Sequence, residues 1–412
     1  MTIDRAVAGA DARIRREPAF AHTEHLVVAH GDRLVAAHAY GRRAVDEPGD
    51  VFSVTKSVLS TLAGCAIRDG RLQLDAAIGG LLGDVPEPVR RVSVRQLLTM
   101  TGGGDPGGEW DIDAVMRLPG GWTHKLLTAP RLSAPGTRFR YDNGATHVLA
   151  ACLARALGED VGTYAVRRLF APLGIARPHW PRDPDGLPYG FGHLRLSPLD
   201  LVALGRLWSA GGVAPDGQRL LDAEYAAEAT RPHTGGGPPE HVGYGYLWWV
   251  TEMAGHRAFF AGGYAGQHVV VVPSLALVTV TTGAQAALRP GWRPALDVVP
   301  GIVAAAGRAA QPPAQGERPG GPAQTRRHRP SGEPGGPAGR REPVSASRQH
   351  ARPDHGQEDT DEGEQALHHG RDRHPQTGVD HGAGRRHDRK TPDDEPDHDG
   401  DVAGVRRGRG VR

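Results

Sequence analysis

Lysine is nearly missing from this sequence. Of its 49 Lys and Arg side chains, three are lysines: Lys56, Lys125 and Lys390. Cysteine is as rare. Cys65 and Cys152 are the two, both in apolar, helix-like stretches. That excludes a disulfide framework or cysteine metal site and points to buried thiols. No run of about 18 apolar residues occurs, so no membrane-spanning helix is expected. A charge excess is lacking too. A net charge of +2 over 412 residues provides no field for nucleic acid or an anionic membrane surface. The opening "MTIDRAVAGADARIRREPAF" has acids and arginines and no apolar core of the secretory kind, so a cytoplasmic protein is expected.

Aromatic residues stop at Trp292 and isoleucines at Ile302. Residues 311–412 are dominated by Gly, Pro, Arg, His, Asp and Glu, as in "RPGGPAQTRRHRPSGEPGGPAGRR". Such a segment buries too little apolar surface to offset its chain entropy. It reads as a disordered low-complexity tail, or as an out-of-frame translation of GC-rich DNA. Its histidines keep no ligand spacing, so neither metal nor cofactor is expected. Residues 1–310 are left as the folded domain, and no internal repeat is evident in them.

Within that domain, "HLVVAHGDRLVAAHAYG" (residues 25–41) predicts a hairpin turning at Gly31-Asp32. "HRAFFAGG", "QHVVVVPS" and "ALVTVTTG" predict three strands near residues 256–283. Residues 54–68 predict a helix with Val58, Leu62 and Ala66 on one stripe, ended by Asp69-Gly70. A second helix covers residues 144–157. A third starts at "SPLD", with Ser197 as cap, Pro198 in the first turn and Asp200 three residues on. Strands from both chain ends are expected to pair. The fold class is α+β: an antiparallel sheet flanked by helices, with an inserted all-helical lobe over roughly residues 70–240.

One of the scarce lysines stands in "SVTK". Three residues are about one helical turn, so Ser53 and Lys56 share a face. A serine hydroxyl becomes a nucleophile when a neighbour removes its proton. A desolvated, neutral lysine can do that; arginine, always protonated, cannot. A helix start also offers outward N–H groups to developing negative charge. The plain alternative is that Ser53 is a helix cap, and Ser-x-x-Lys arises by chance about once in a chain of this size. Two further segments matter. Tyr141-Asp142-Asn143 follows a Pro-Gly turn and precedes a helix, so the phenol can relay a proton and the Asn143 amide can orient a partner; otherwise they pack and cap. "FFAGGYAGQ" places Gly262, Gly263 and Gly266 by a strand end, which allows close ligand approach or a bulge.

In this order, Ser53-Val54-Thr55-Lys56, Tyr141-Asp142-Asn143 and Ala261-Gly262-Gly263 resemble the serine β-lactamase and penicillin-binding-protein superfamily. The likeness is nearer to its class C-like esterase, D-aminopeptidase and 6-aminohexanoate-oligomer hydrolase branch. It runs from about residue 25 to 305, with flanks such as "VSVRQLLTMTGG" and "APGTRFRYDNGATHVLAACL". The resemblance implies a serine hydrolase acting on a small ester or amide. Ser53 would be the acylated nucleophile, with Lys56 and Tyr141 sharing the general-base role. Asn143 would position substrate or Lys56, and the N–H groups of Ser53 and Tyr264, beside Gly263, would form the oxyanion hole. Where penicillin-recognising members carry Lys and many esterases His, this chain has Ala261. That departure argues against the alternatives of a β-lactamase or D-Ala-D-Ala-type peptidase. A non-catalytic binding protein on the same scaffold is a further alternative, opposed by the intact set of Ser53, Lys56, Tyr141 and Asn143. An adaptor acting through the tail is another. Nothing in the sequence addresses oligomeric state. Trp248-Trp249, Tyr244 and Tyr246 read as packing, with the lining of an apolar acyl pocket as the alternative, and His147, His193 and His268 read as structural. Arg138 and Arg140 read as solvated.

Overall fold

The structure is a computed structural model that describes residues 1–310 except 285 and 287. The expected tail, 311–412, lies outside the described residues. Nine strands form among them: β1 (Thr23–His30), β2 (Arg33–Ala39), β3 (Gly49–Asp50), β4 (Arg195–Leu196), β5 (Gly243–Tyr244), β6 (Trp249–Met253), β7 (His256–Gly263), β8 (Gln267–Val272) and β9 (Leu277–Gly283).

β1 and β2 make the expected hairpin, with Gly31 at φ +58° in its turn. That left-handed conformation suits glycine, which has no Cβ to clash. The two chain ends then meet: β9 runs antiparallel to β1, from Thr23 opposite Gly283 to His30 opposite Leu277. One antiparallel sheet results, in the order β2-β1-β9-β8-β7-β6-β5. β5 and β6 were not foreseen. Their segment "GYGYLWWVTEM" shows no clean alternation, because β6 is buried on both sides at Trp249 and Val250.

β8 and β9 are buried along their whole length, so helices cover both faces of the sheet. The N-terminal helix Ile3–Arg16 and the helix Val299–Ala310 pack on one another and on the sheet. The helices Val54–Arg68 and Pro198–Ser209 also lie on the sheet. They are tied together by Trp208 Nε1 donating to Thr61 Oγ1 at 3.0 Å. Gly205 lets the second of these helices sit close; a Cβ there would come within 2.5 Å of Val278. Ser197 and Asp200 form the expected capping box.

The helix Val54–Arg68 begins and ends where the periodicity placed it. It is not amphipathic, however: every residue from Val54 to Ala66 is buried. Squeezed between the sheet and the helix Asn143–Leu157, it has no face turned to water, and this is what places Lys56 in the interior.

Candidate active site

Ser53 opens the helix Val54–Arg68 without capping it. Its backbone is already helical (φ −67°, ψ −8°), and its hydroxyl accepts no N–H of the first turn. The hydroxyl lies 2.7 Å from Lys56 Nζ instead. Lys56 Nζ also donates to the carbonyl of Phe191 at 2.6 Å. Lys56 is only 2% exposed. Burial draws its ammonium down from 10.5 to about 7, with the Asp142 carboxylate opposing. A lysine so placed is near the balance point between charged and neutral at physiological pH.

Tyr141 completes this group. Its ring lies 5.0 Å from Lys56 Nζ, and its hydroxyl is hydrogen-bonded to Ser53. Burial raises the phenol well above its ordinary value, with the Ser53 bond opposing and the Glu240 charge adding to the rise. Trp249 holds the ring from behind, nearly parallel at 14° with centroids 5.8 Å apart. The neighbouring cap is Asp142, which accepts from Ala145 N–H at 2.9 Å. Asn143 is thereby free of capping duty. Its side chain forms no hydrogen bond among the described residues, to Lys56 or to any other group.

The end of β7 reaches Ser53 through a glycine. A Cβ on Gly263 would stand 2.6 Å from the Val51 carbonyl and 3.3 Å from Ser53 N. Only a residue without a side chain allows this approach. Tyr264 follows, 56% exposed and edge-on to Phe52 at 5.4 Å. The N–H groups of Ser53 and Tyr264 therefore belong to segments in direct contact. Ala261 is buried, 1% exposed, opposite Val269.

Two clamps hold the arrangement. Asp50 is the first. Its Oδ1 accepts from Phe52 N–H at 2.7 Å, and its Oδ2 meets His193 Nδ1 at 2.7 Å. Phe52, the residue before Ser53, has φ +45°, a conformation that costs a non-glycine residue about 1–3 kcal/mol and persists only when neighbours impose it. The β3–β4 ladder brings His193 there, while Val51 N donates to Leu194 O.

The second clamp is His147. Gly190 N–H donates to its Nδ1 at 3.4 Å, so the proton sits on Nε2 and donates to Asp183 Oδ2 at 3.0 Å. Both side chains are at most 1% exposed. Burial pushes Asp183 up, but bonds from His147 and the Leu187 N–H outweigh it. The segment from Asp183 to Gly190 is thus pinned beside the residue whose carbonyl meets Lys56. His147→Ala is expected to cost about 3–5 kcal/mol in denaturant unfolding, because Asp183 stays buried without its partner. A loss below 1 kcal/mol would show the pair to be dispensable.

Asp142, one of the two residues expected to open the helix Asn143–Leu157, is its cap; sequence reasoning missed Asp50, Glu240, the stacking of Trp249 on Tyr141 and the Phe191 carbonyl. Asp50 had a signal, since an Asp two residues before a backbone N–H suits an Asx turn. A backbone carbonyl has none. His147 is bonded to Asp183 and His193 to Asp50, and burial draws His268 down to about 4. Trp248 is core, at 0% exposure. Among the described residues no cluster of three or more His, Cys, Asp or Glu could hold a metal. No helix there is long and apolar enough to cross a membrane.

The arrangement has relatives. A family model described as Beta-lactamase matches residues 11–295. A 6-aminohexanoate-dimer hydrolase from Paenarthrobacter ureafaciens is 27% identical over 219 residues, 48% of this chain and 54% of that protein. The chain thus matches about half the length of that curated relative. Among solved structures, the octameric penicillin-binding protein homologue from Pyrococcus abyssi has a TM-score of 0.59 at 18% identity, covering 72% of this chain and 76% of its own. EstCE1, a hydrolase with promiscuous acyltransferase activity, has a TM-score of 0.59 at 19% identity, covering 74% of this chain and 98% of its own. At these identities the structures establish the fold.

Proposed function

Because this chain belongs to the beta-lactamase family, we propose that it is a serine hydrolase that cleaves a small ester or amide through an acyl-enzyme on Ser53. The observation that carries this is Lys56: a buried amine, drawn to about 7, placed 2.7 Å from a hydroxyl that caps nothing. Burying a lysine only for structure would cost stability without return. The same cost argues against a binding protein that has lost catalysis.

The electrostatics divide the roles. Neutral Lys56 takes the Ser53 proton as Oγ attacks the substrate carbonyl. The oxyanion forms between the N–H groups of Ser53 and Tyr264, where fixed donors act with little reorganisation. Tyr141, kept protonated by burial, gives its proton to the leaving oxygen or nitrogen. Lys56 then returns its proton to Tyr141, which restores both groups while Ser53 carries the acyl group. Water then attacks the acyl-enzyme, with the same pair removing its proton. Asn143, with its amide free, is placed to bind substrate. The catalytic unit is residues 1–310, and no step calls for a metal or cofactor.

Ala261 sets the substrate range. With no cation at that position, a carboxylate beside the scissile bond would lose hydration without gaining a partner. Arg257 does not replace the cation, since its Nη2 donates to the Thr230 carbonyl and Oγ1 at 2.7 and 2.9 Å. Short-chain esters are therefore expected to be turned over faster than penicillins or D-Ala-D-Ala peptides. The test is fluorophosphonate labelling followed by a panel of these substrates. One equivalent of label on Ser53 with ester turnover supports the proposal. Failure to label, or efficient penicillin hydrolysis without ester turnover, overturns it.

A further inference from the structure

Behind the rings of the site lies a groove that the chemistry above does not use. It runs between residues 136–140 and residues 233–236 and has a volume of about 560 Å³. Phe139 packs inward, its centroid 4.9 Å from that of Tyr244 and 5.9 Å from that of Trp249. Arg138 and Arg140, on either side of it in the chain, both line the groove. Arg140 N–H donates to the Met100 carbonyl at 2.9 Å, which fixes the segment. Trp249 in turn stacks on Tyr141, the partner of Ser53. Aromatic rings therefore stand between the groove and the hydroxyl.

The two guanidiniums have no counter-charge. Arg138 is exposed and Arg140 half-buried. Neither enters an ion pair or a side-chain hydrogen bond among the described residues, and Arg140 Nη1 is buried without a partner. Other arginines with a buried side are matched: Arg43 with Glu24, Arg168 with Asp69 and Arg182 with Asp160. A half-buried guanidinium without an acceptor has lost hydration and gained nothing for it. No Asp or Glu lines the groove. Glu228, 3.8 Å from the His233 ring at its edge, is held by Arg231. The facing loop adds neutral donors. Thr234 Oγ1 accepts from Gly236 N–H at 3.3 Å, which leaves the hydroxyl proton free. Gly235 N–H makes no hydrogen bond among the described residues, and the space where its Cβ would stand is open. Gly236, at φ +71°, turns the loop back toward Val242.

We propose that this groove binds a phosphate group, free or carried by a small molecule, held by Arg138, Arg140 and the Thr234–Gly236 loop. The site is separate from the Ser53 pocket and does not depend on the serine chemistry. Two guanidiniums, a hydroxyl and an amide are donors throughout. They match an anion that carries close to two charges and three acceptor oxygens, and guanidinium forks suit its geometry. The Phe139 ring between the arginines offers an apolar surface to an organic group on the phosphate.

The test is isothermal titration of the full chain with phenyl phosphate, inorganic phosphate and benzoate at matched ionic strength. Phenyl phosphate should bind one to one. Arg138→Gln and Arg140→Gln should each weaken it by about tenfold or more, the effect of losing one charge-assisted contact. Circular dichroism checks the fold of both variants, and Arg138→Gln, at an exposed position, keeps the test decisive if Arg140→Gln does not fold. Tighter binding of phenyl phosphate than of inorganic phosphate identifies a phosphate monoester as the occupant, and equal affinities identify the free ion. Absence of binding by both phosphates overturns the proposal. So does binding that survives the substitutions, which would place an adventitious ion elsewhere on the chain. Benzoate bound as tightly as phenyl phosphate would also overturn it, since the groove would then not select phosphate.

Discussion

Ser53→Ala is expected to abolish covalent capture of a fluorophosphonate and to lower hydrolysis by about 10⁴-fold or more, as when a nucleophile paired with a positioned base is removed. The fold should survive almost unchanged. A serine that caps a helix contributes about 0.5–2 kcal/mol, but Ser53 accepts no backbone N–H, so even that cost is absent. Its loss removes one partner of Lys56 and leaves the other, the Phe191 carbonyl at 2.6 Å. The experiment is intact-protein mass spectrometry after labelling, with denaturant unfolding alongside. A mutant that still takes one equivalent of label would place the reactive serine elsewhere.

Lys56→Arg should lower the acylation rate by about 10²–10⁴-fold, the usual contribution of a general base. The charge is kept and the basicity is lost. The pH profile of the native chain separates this from a steric effect. Lys56 acts as base only when neutral, and burial draws it to about 7. Native acylation should therefore rise with pH through about 7 and level off above. The arginine variant should show no such rise at that position. If arginine works nearly as well as lysine, Lys56 acts through charge or packing.

The same burial makes a stability prediction whose sign follows from proton counting. Lysine in the unfolded chain loses its proton near 10.5, and Lys56 in the folded chain near 7. Between these values the unfolded chain holds the extra proton. The folded state is thus progressively destabilised as pH falls from 10.5 to about 7, and no further below. Lys56→Met should lack this slope and be more stable than the native protein at neutral pH, as expected where function is built at the expense of stability. Equal pH slopes for the two proteins would contradict the assignment.

Much of the scaffold was legible in the sequence because it rests on local signals. Gly31-Asp32 between two apolar runs makes a hairpin whatever lies around it. Ser197, Pro198 and Asp200 start a helix through bonds made within four residues. The spacing of Ser53 and Lys56 needs only helical geometry, and the order of the three motifs needs only the chain itself. β5 and β6 were not legible, because β5 is two residues long and β6, buried at the consecutive Trp249 and Val250, loses the alternation that marks a strand.

The sequence alone determined which groups are candidates for the site: a serine one turn from a scarce lysine, a tyrosine ahead of a helix, and a glycine strand end after an alanine. The tertiary structure decided what state those groups are in. Lys56 is drawn to about 7 because its helix is packed on every side, and no helical periodicity contains that fact. Its second partner is the backbone carbonyl of Phe191, held by His147 and Asp183 from another part of the chain. Glu240 meets Gly262 and Trp249 only because β5, β6 and β7 lie side by side. Desolvation and charge pairing depend on distances across the fold, and contacts between residues far apart in sequence leave no periodic trace in it.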